Sequence, residues 1–167
     1  MKRILVIGSP GAGKSTFSKQ LAAKTGLPLI HLDDAYWQPG WMRPPTAEWE
    51  QRVEQLIAAE TWILDGNYTS TLKRRAALAD EVIVLTYPRL LCLYRAITRA
   101  LLNRRPDQKN LGREPLNREF LSFIWHFPKL AQGQVEQLHS FPHLSVVELR
   151  SDTAARRYLH ALSIRGD

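Results

Sequence analysis

Eight residues near the start of the chain leave few folds open. Gly8-Ser-Pro-Gly-Ala-Gly-Lys-Ser15 reads G-x-x-x-x-G-K-S, the pattern of a phosphate-binding P-loop. Such a loop works only between a buried strand and a helix, because the strand delivers the turn and the helix start supplies unpaired N–H groups. Both flanks fit. Residues 3–7, Arg-Ile-Leu-Val-Ile, are apolar and branched, as a buried parallel strand is. Residues 14–24 place Phe17, Leu21 and Ala22 on one helical face, and Gly26 with Pro28 beyond stops that helix.

The chemistry follows from the spacing. Gly8, Gly11 and Gly13 let the backbone turn tightly and bring its N–H groups close to a polyphosphate, which spans residues 11–16 and so includes Ala12 and Thr16. The first turn of the helix adds further donors and the positive end of its dipole. Lys14 reaches the β- and γ-phosphates, and the Ser15 hydroxyl is placed to hold Mg²⁺.

The chain has 167 residues, enough for a single domain over its whole length, 1–167. No apolar run approaches a membrane span, and Met1-Lys-Arg3 leads straight into a strand, so no membrane partner and a cytoplasmic location are expected. Cys92 is the only cysteine, which excludes a disulfide within the chain. The net charge of +7 is uneven. Arg89, Arg95, Arg99, Arg104, Arg105, Lys109, Arg113 and Arg118 face only Asp107 and Glu114 in the same window, which implies a phosphate-rich partner.

Along the chain, strands and helices alternate. Residues 28–32 read as a second strand ending at Asp33-Asp34, and residues 36–41 are aromatic and turn-rich. Thr46 is placed to cap a helix over 49–59 with Val53, Leu56 and Ile57 as its stripe. Residues 61–65 form a third strand ending in Asp65, a short basic helix covers 69–78, and 81–86 is a fourth strand. Pro88 opens a helix on which Leu90, Tyr94, Ile97 and Leu101 share one face, with Arg95 and Arg99 opposite. Residues 103–115 are polar and read as a loop or lid. A helical stretch from about Leu116 should be kinked or divided at Pro128 and Gly133, with Trp125 in the core. Residues 144–149 are a fifth strand, and Asp152 or Thr153 caps a last helix to about Ser163. The alternation implies a doubly wound, mostly parallel sheet that binds its ligand at the carboxyl ends of its strands. The P-loop, Asp33, Asp65, Tyr87 and Arg150 then share one rim.

Each candidate has a bland reading beside it. Asp65 faces Mg²⁺ if its strand neighbours the first, and otherwise caps the turn before Gly66. Asp33 either orients or deprotonates an acceptor hydroxyl, ligates the metal, or lies in a solvated turn. Arg95 and Arg99 repel each other at i, i+4 unless an anion lies between them, so they either clamp a moving phosphoryl group or form a solvated face. Trp37 and Trp41 either stack on a ring substrate or form a small aromatic cluster under a loop.

Taken together, Gly8 to Ser15, His31-Leu-Asp33, Trp37-x-Pro39-Gly40-Trp41, Asp65-Gly-Asn-Tyr68, Arg75, Ala79-Asp80, Arg95 with Arg99, Arg105-Pro-Asp107 and Phe120 to Trp125 resemble the adenylate-kinase-like P-loop proteins, most closely the DNA topology modulation protein group. The resemblance implies a three-layer fold with a five-stranded parallel sheet of order 2-3-1-4-5. It implies an acceptor-binding insertion at about 34–60, an Arg-bearing lid at about 103–116, and ATP with Mg²⁺. Lys14, Arg95, Arg99 and Asp33 then carry the catalysis, and Arg150 lies beside the adenine. The acceptor lies among Asp33, Trp37, Trp41, Arg43, Asn67, Tyr68 and Arg75. Adenylate kinases continue Leu-Asp-Gly with Phe-Pro-Arg, whereas Asn67-Tyr-Thr69 follow Gly66 here, so Arg75 and Arg43 are the candidates to substitute for that arginine. The expected activity is phosphoryl transfer from ATP to a small nucleotide-like or hydroxylated acceptor, by a monomer or homodimer. The rival readings are an ATP-binding, nucleic-acid-associated regulator or ATPase, and a shikimate- or gluconate-type metabolite kinase. The basic window supports the former, but no nucleic-acid motif accompanies it.

Overall fold

The computed structural model describes residues 2–102 and 116–164. Five strands, β1 (Arg3–Gly8), β2 (Leu29–His31), β3 (Trp62–Asp65), β4 (Glu81–Leu85) and β5 (Ser145–Leu149), form one parallel sheet of order β2-β3-β1-β4-β5. This is the expected order. Seven helices accompany them among the described residues: α1 (Lys14–Thr25), α2 (Leu32–Tyr36), α3 (Thr46–Ile57), α4 (Thr69–Leu78), α5 (Arg89–Leu101), α6 (Arg118–Leu138) and α7 (Asp152–Ile164).

The central strands are apolar throughout because both faces are covered. Their period of two shows in which layer each residue enters. Ile4, Val6, Ile63 and Ile83 pack with Phe17 and Leu21 of α1, Cys92 and Ala96 of α5, and Ala155 and Leu159 of α7. Leu5, Ile7, Leu64, Val82 and Val84 pack on the other face with Trp49 and Val53 of α3 and Leu72 and Ala76 of α4. Helix α6 reaches both layers, through Ile124 in the first and Val135 and Leu138 in the second. The carboxylate of Asp80 pins the start of β1 by accepting from the N–H groups of Lys2 and Arg3, which lowers its pKa.

Several local expectations change. The second strand stops at His31, and Asp33 and Asp34 lie in the first turn of the short helix α2. The helix dipole favours carboxylates there, and Leu32 turns inward as a fully buried residue. Helix α3 starts at Thr46 itself, with no side-chain cap. Helix α6 runs undivided through Pro128 and Gly133, because Ile124 and Phe127 before the proline and Ala131, Gln134 and Val135 after it are all buried on one side. Helix α7 is capped by Ser151, whose Oγ accepts from the Ala154 N–H, so Asp152 is left for another role.

Helix α5 turns a different face inward from the one its large apolar residues suggest. Leu90, Tyr94 and Leu101 are 69%, 68% and 73% exposed, while Cys92 and Ala96 are fully buried. Small side chains win because this face meets the P-loop backbone at very short range. Trp125 is likewise not in the core: it is 43% exposed, with the Arg89 guanidinium 4.6 Å from its ring centroid. Among the described residues no helix is long and apolar enough to cross a membrane. The expected lid, with Arg104, Arg105 and Arg113, lies outside the described residues apart from Leu116.

Candidate active site

A cleft of about 740 Å³ opens at the carboxyl edge of the sheet. One side is the loop between β1 and α1. Gly11 has φ 83°, and a Cβ built there would lie 2.2 Å from the Cys92 carbonyl oxygen. Only glycine permits both that conformation and that approach. The Ala12 N–H donates to the Ser9 carbonyl at 3.0 Å and closes the turn. Gly13 stands before α1 with φ 84°, so no side chain caps the first N–H groups of that helix. This is the anion-ready arrangement of a P-loop. Lys14 Nζ donates to the carbonyls of Gly8 (2.9 Å) and Ser9 (3.2 Å), holding the ammonium over the loop. Gly11, Gly13, Lys14, Ser15 and Thr16 line the cleft, whereas Gly8 and Ala12 shape the loop from behind.

The rest of the wall comes from the ends of β2 and β3. Asp65 ends β3 with its side chain 4% exposed. Its Oδ2 lies 2.8 Å from His31 Nδ1, and its Oδ1 has no hydrogen-bond partner. A buried carboxylate oxygen without a partner is costly unless a ligand, ion or water completes it. No group of three His, Cys, Asp or Glu side chains is assembled to hold a metal among the described residues. A divalent cation here would therefore take oxygens from phosphate and water, with Ser15 and Asp65 as the protein's contribution. That donor set fits Mg²⁺. Sequence reasoning gave His31 no role, since a lone histidine at a strand end shows nothing of the Asp65 carboxylate across the sheet.

Gly66, Asn67 and Tyr68 link β3 to α4. The Asn67 side chain accepts from the Gly8 N–H (2.9 Å) and donates to the Gly8 carbonyl (2.8 Å), so it clips this link to the end of β1. Tyr68 has φ 32°, an uncommon conformation for a residue with a ring. Its hydroxyl donates to Asp33 Oδ1 at 2.7 Å, and its ring packs on Tyr36 (4.5 Å) and Trp49 (4.8 Å). Trp37 and Trp41 meet edge to face at 5.4 Å, with the Arg43 guanidinium 6.0 Å from the Trp37 centroid. Asp33, Trp37, Trp41, Arg43, Asn67 and Tyr68 all line the cleft, as does Arg99 from α5.

Three expected residues lie elsewhere. Arg75 is fully buried beneath the 66–68 link and does not line the cleft. Its guanidinium donates to the carbonyls of Gly66 (3.1 Å), Asn67 (2.5 Å) and Tyr68 (2.9 Å). Burial pulls its pKa down to about 9, which still leaves it charged at neutral pH. Arg75 therefore braces the link and does not replace a substrate-gripping arginine. Arg95 is held by Asp152 through two hydrogen bonds, 3.2 and 2.6 Å, and lies 5.8 Å from the Tyr87 ring centroid. This pairing lowers the Asp152 pKa and raises that of Arg95, while burial, with Asp152 beside it, pushes the Tyr87 hydroxyl up to about 12. Arg150, after β5, pairs with Glu148 at 3.3 Å and is not part of the cleft wall. Conversely, the start of α6 supplies Asn117, Glu119, Phe120 and Phe123 to the cleft. The helix was legible in sequence; its docking beside the P-loop, a long-range matter, was not.

No family model matches the chain. A stretch of 148 residues is 29% identical to an adenylate kinase from Cyanothece sp., covering 67% of this chain and 75% of that protein. A stretch of 98 residues is 32% identical to an adenylate kinase from Mycolicibacterium smegmatis, covering 47% of this chain and 54% of that protein, so the chain spans just over half the length of this relative. Among solved structures, shikimate kinase from Acinetobacter baumannii in complex with shikimate superposes with TM-score 0.65 at 15% identity, over 97% of this chain and 90% of that one. Shikimate kinase from Aquifex aeolicus gives TM-score 0.56 at 13% identity, over 98% of each chain. The chain thus has the fold of the P-loop kinases.

Proposed function

We propose that this protein is a P-loop kinase that transfers the γ-phosphoryl group of ATP to a small nucleotide-like or hydroxylated acceptor. One observation supports this above the others: a phosphate-binding loop and an acidic, aromatic wall face one cleft, the former offering backbone donors and Lys14, the latter Asp33 and Tyr68. The adenylate kinase relatives and the shikimate kinase fold agree with it.

In this reading the N–H groups of residues 11–16 bind the donor phosphates. Lys14 leaves the carbonyls of Gly8 and Ser9 for the β,γ-bridge, and Arg99 neutralises charge on the moving group. Ser15, with Asp65 behind it, would hold Mg²⁺, which would supply screening of the polyphosphate's negative charge. Asp33 takes the proton of an attacking hydroxyl as the acceptor oxygen bonds to the γ-phosphorus and the bond to the β-phosphate oxygen breaks. Asp33 accepts from Tyr68, which fixes the carboxylate for that task.

The test is ADP release from MgATP across nucleoside monophosphates, nucleosides and small hydroxy acids, with Lys14→Ala as control. The proposal expects one acceptor to raise turnover well above the blank and to gain one phosphoryl group by mass. Equal turnover by Lys14→Ala, or no acceptor effect with ATP bound, contradicts it.

A further inference from the structure

The same cleft carries information about what is phosphorylated, and this inference rests on the kinase reading above. With the P-loop and Arg99 assigned to the donor phosphates, and Asp65 to His31 and the cation, the remaining charged lining among the described residues is Asp33, Asp34, Glu119 and Arg43. Three carboxylates and one arginine make a poor site for a second phosphate dianion. Phosphate recognition uses forks of guanidinium groups and repels carboxylates. The arginine that the sequence offers nearby is spent: Arg75 is fully buried, its guanidinium on three backbone carbonyls. Arg43 is exposed, with its guanidinium over the Trp37 ring.

What the wall does offer suits a different ligand. Trp37, Trp41 and Tyr36 are half-buried and mutually packed, with Tyr36 edge-on to Trp37 at 4.9 Å. Clustered rings of this kind hold planar ligands. One Asp33 oxygen takes the Tyr68 hydroxyl, and the other can accept from a ligand hydroxyl. Carboxylates recognise hydroxyl groups as acceptors of their protons, and they do so without needing a charge on the ligand.

We infer that the acceptor is an unphosphorylated molecule with a planar ring and a free hydroxyl, of the chemical class of a nucleoside, and that this hydroxyl is the nucleophile. The hydroxyl oxygen forms the new bond to the γ-phosphorus of ATP, its proton passes to Asp33, and ADP leaves with the electron pair of the broken bond. The product is the monophosphate ester.

The experiment pairs each common nucleoside and deoxynucleoside with its own 5′-monophosphate, in MgATP, and measures kcat/KM and the mass of the product. At least one nucleoside should exceed its monophosphate by about tenfold or more, since an uncompensated phosphate among carboxylates forfeits that much binding. Trp37→Ala should raise the nucleoside KM on the order of tenfold with kcat held. Asp33→Asn should lower kcat about a hundredfold while ATP affinity stays within a factor of about two. A monophosphate that is converted to a diphosphate more efficiently than its nucleoside overturns this inference and leaves the kinase reading standing, as does a hydroxy acid that outperforms every nucleoside. Failure of all acceptors, with the γ-phosphate going only to water, overturns both.

Discussion

On the P-loop side of the cleft, a ligand meets backbone N–H groups, Lys14 and Ser15, all within nine consecutive residues from Gly8 to Thr16. On the facing side it meets Asp33, Trp37, Trp41, Asn67 and Tyr68, which come from two separated segments; Tyr68 holds Asp33, and Asn67 is clipped to Gly8. The first wall is mainly a local structure: its turn and its helix start follow from glycine spacing, while the close approach of Gly11 to Cys92 of α5 is a long-range demand. The second is tertiary. Its conformation depends on Arg75, Asn67 and the Tyr68–Asp33 hydrogen bond, none of which is local. A local wall tolerates change elsewhere in the chain, whereas a tertiary wall fails when any brace is removed.

Substitutions separate the two walls. Lys14→Ala should lower turnover on the order of a thousandfold with little loss of stability, because its ammonium donates to the loop's own carbonyls. Steady-state ADP release and a urea melt check both parts. Gly11→Ala should abolish ATP binding and also destabilise the fold by about 2–3 kcal/mol, since its Cβ would meet the Cys92 carbonyl oxygen at 2.2 Å. Calorimetric titration with ATP and the urea midpoint read these effects.

Arg75→Ala probes the opposite wall. It strips one buried and two part-buried carbonyls of their donor and should cost about 3 kcal/mol, read as a lowered urea midpoint. If the walls are as distinct as described, a folded Arg75→Lys variant keeps its ATP affinity and loses acceptor affinity. Equal loss of both would mean that the 66–68 link supports the P-loop as strongly as the acceptor side. Asn67→Ala sharpens that point, because the Asn67 side chain ties this link to Gly8. It should lower kcat about tenfold and weaken ATP binding less, as measured by turnover and titration.

Outside both walls, the Arg95–Asp152 pair joins α5 to α7 and should show the smallest effect. The folded pKa of Asp152 is depressed, so its contribution is fully present above the ordinary carboxylate range and is lost as pH falls through the lowered value. Asp152 is 49% exposed in its side chain, so solvent screens the pair to below about 1 kcal/mol. Asp152→Asn should lower the melting temperature slightly at pH 7, and the difference should shrink as pH falls through the lowered carboxylate value.

The difference between the walls also sets what the residues reveal in sequence. The strand order agrees with the resemblance because the alternation of strands and helices, together with the P-loop, admits few topologies. The P-loop wall is legible for the same reason. The second wall is legible only as composition: Trp37, Trp41, Asn67 and Tyr68 stand out, but nothing local shows that the Asn67 amide clips to Gly8 or that Tyr68 donates to Asp33. Arg75 is the clearest case. An exposed-looking basic helix hides one arginine whose burial is set by a loop eight residues behind it. Helix α5 misleads through size: Leu90, Tyr94 and Leu101 suggest an inward face, but Cys92 and Ala96 are what the P-loop backbone can approach.

The most direct measurement is the fate of the γ-phosphoryl group. ATP labelled at that position, mixed with excess enzyme and the best acceptor of the panel, should pass its label to the acceptor in a single turnover, and Lys14→Ala should not transfer it. Label found only as inorganic phosphate, or ATP left intact while bound, would contradict a kinase.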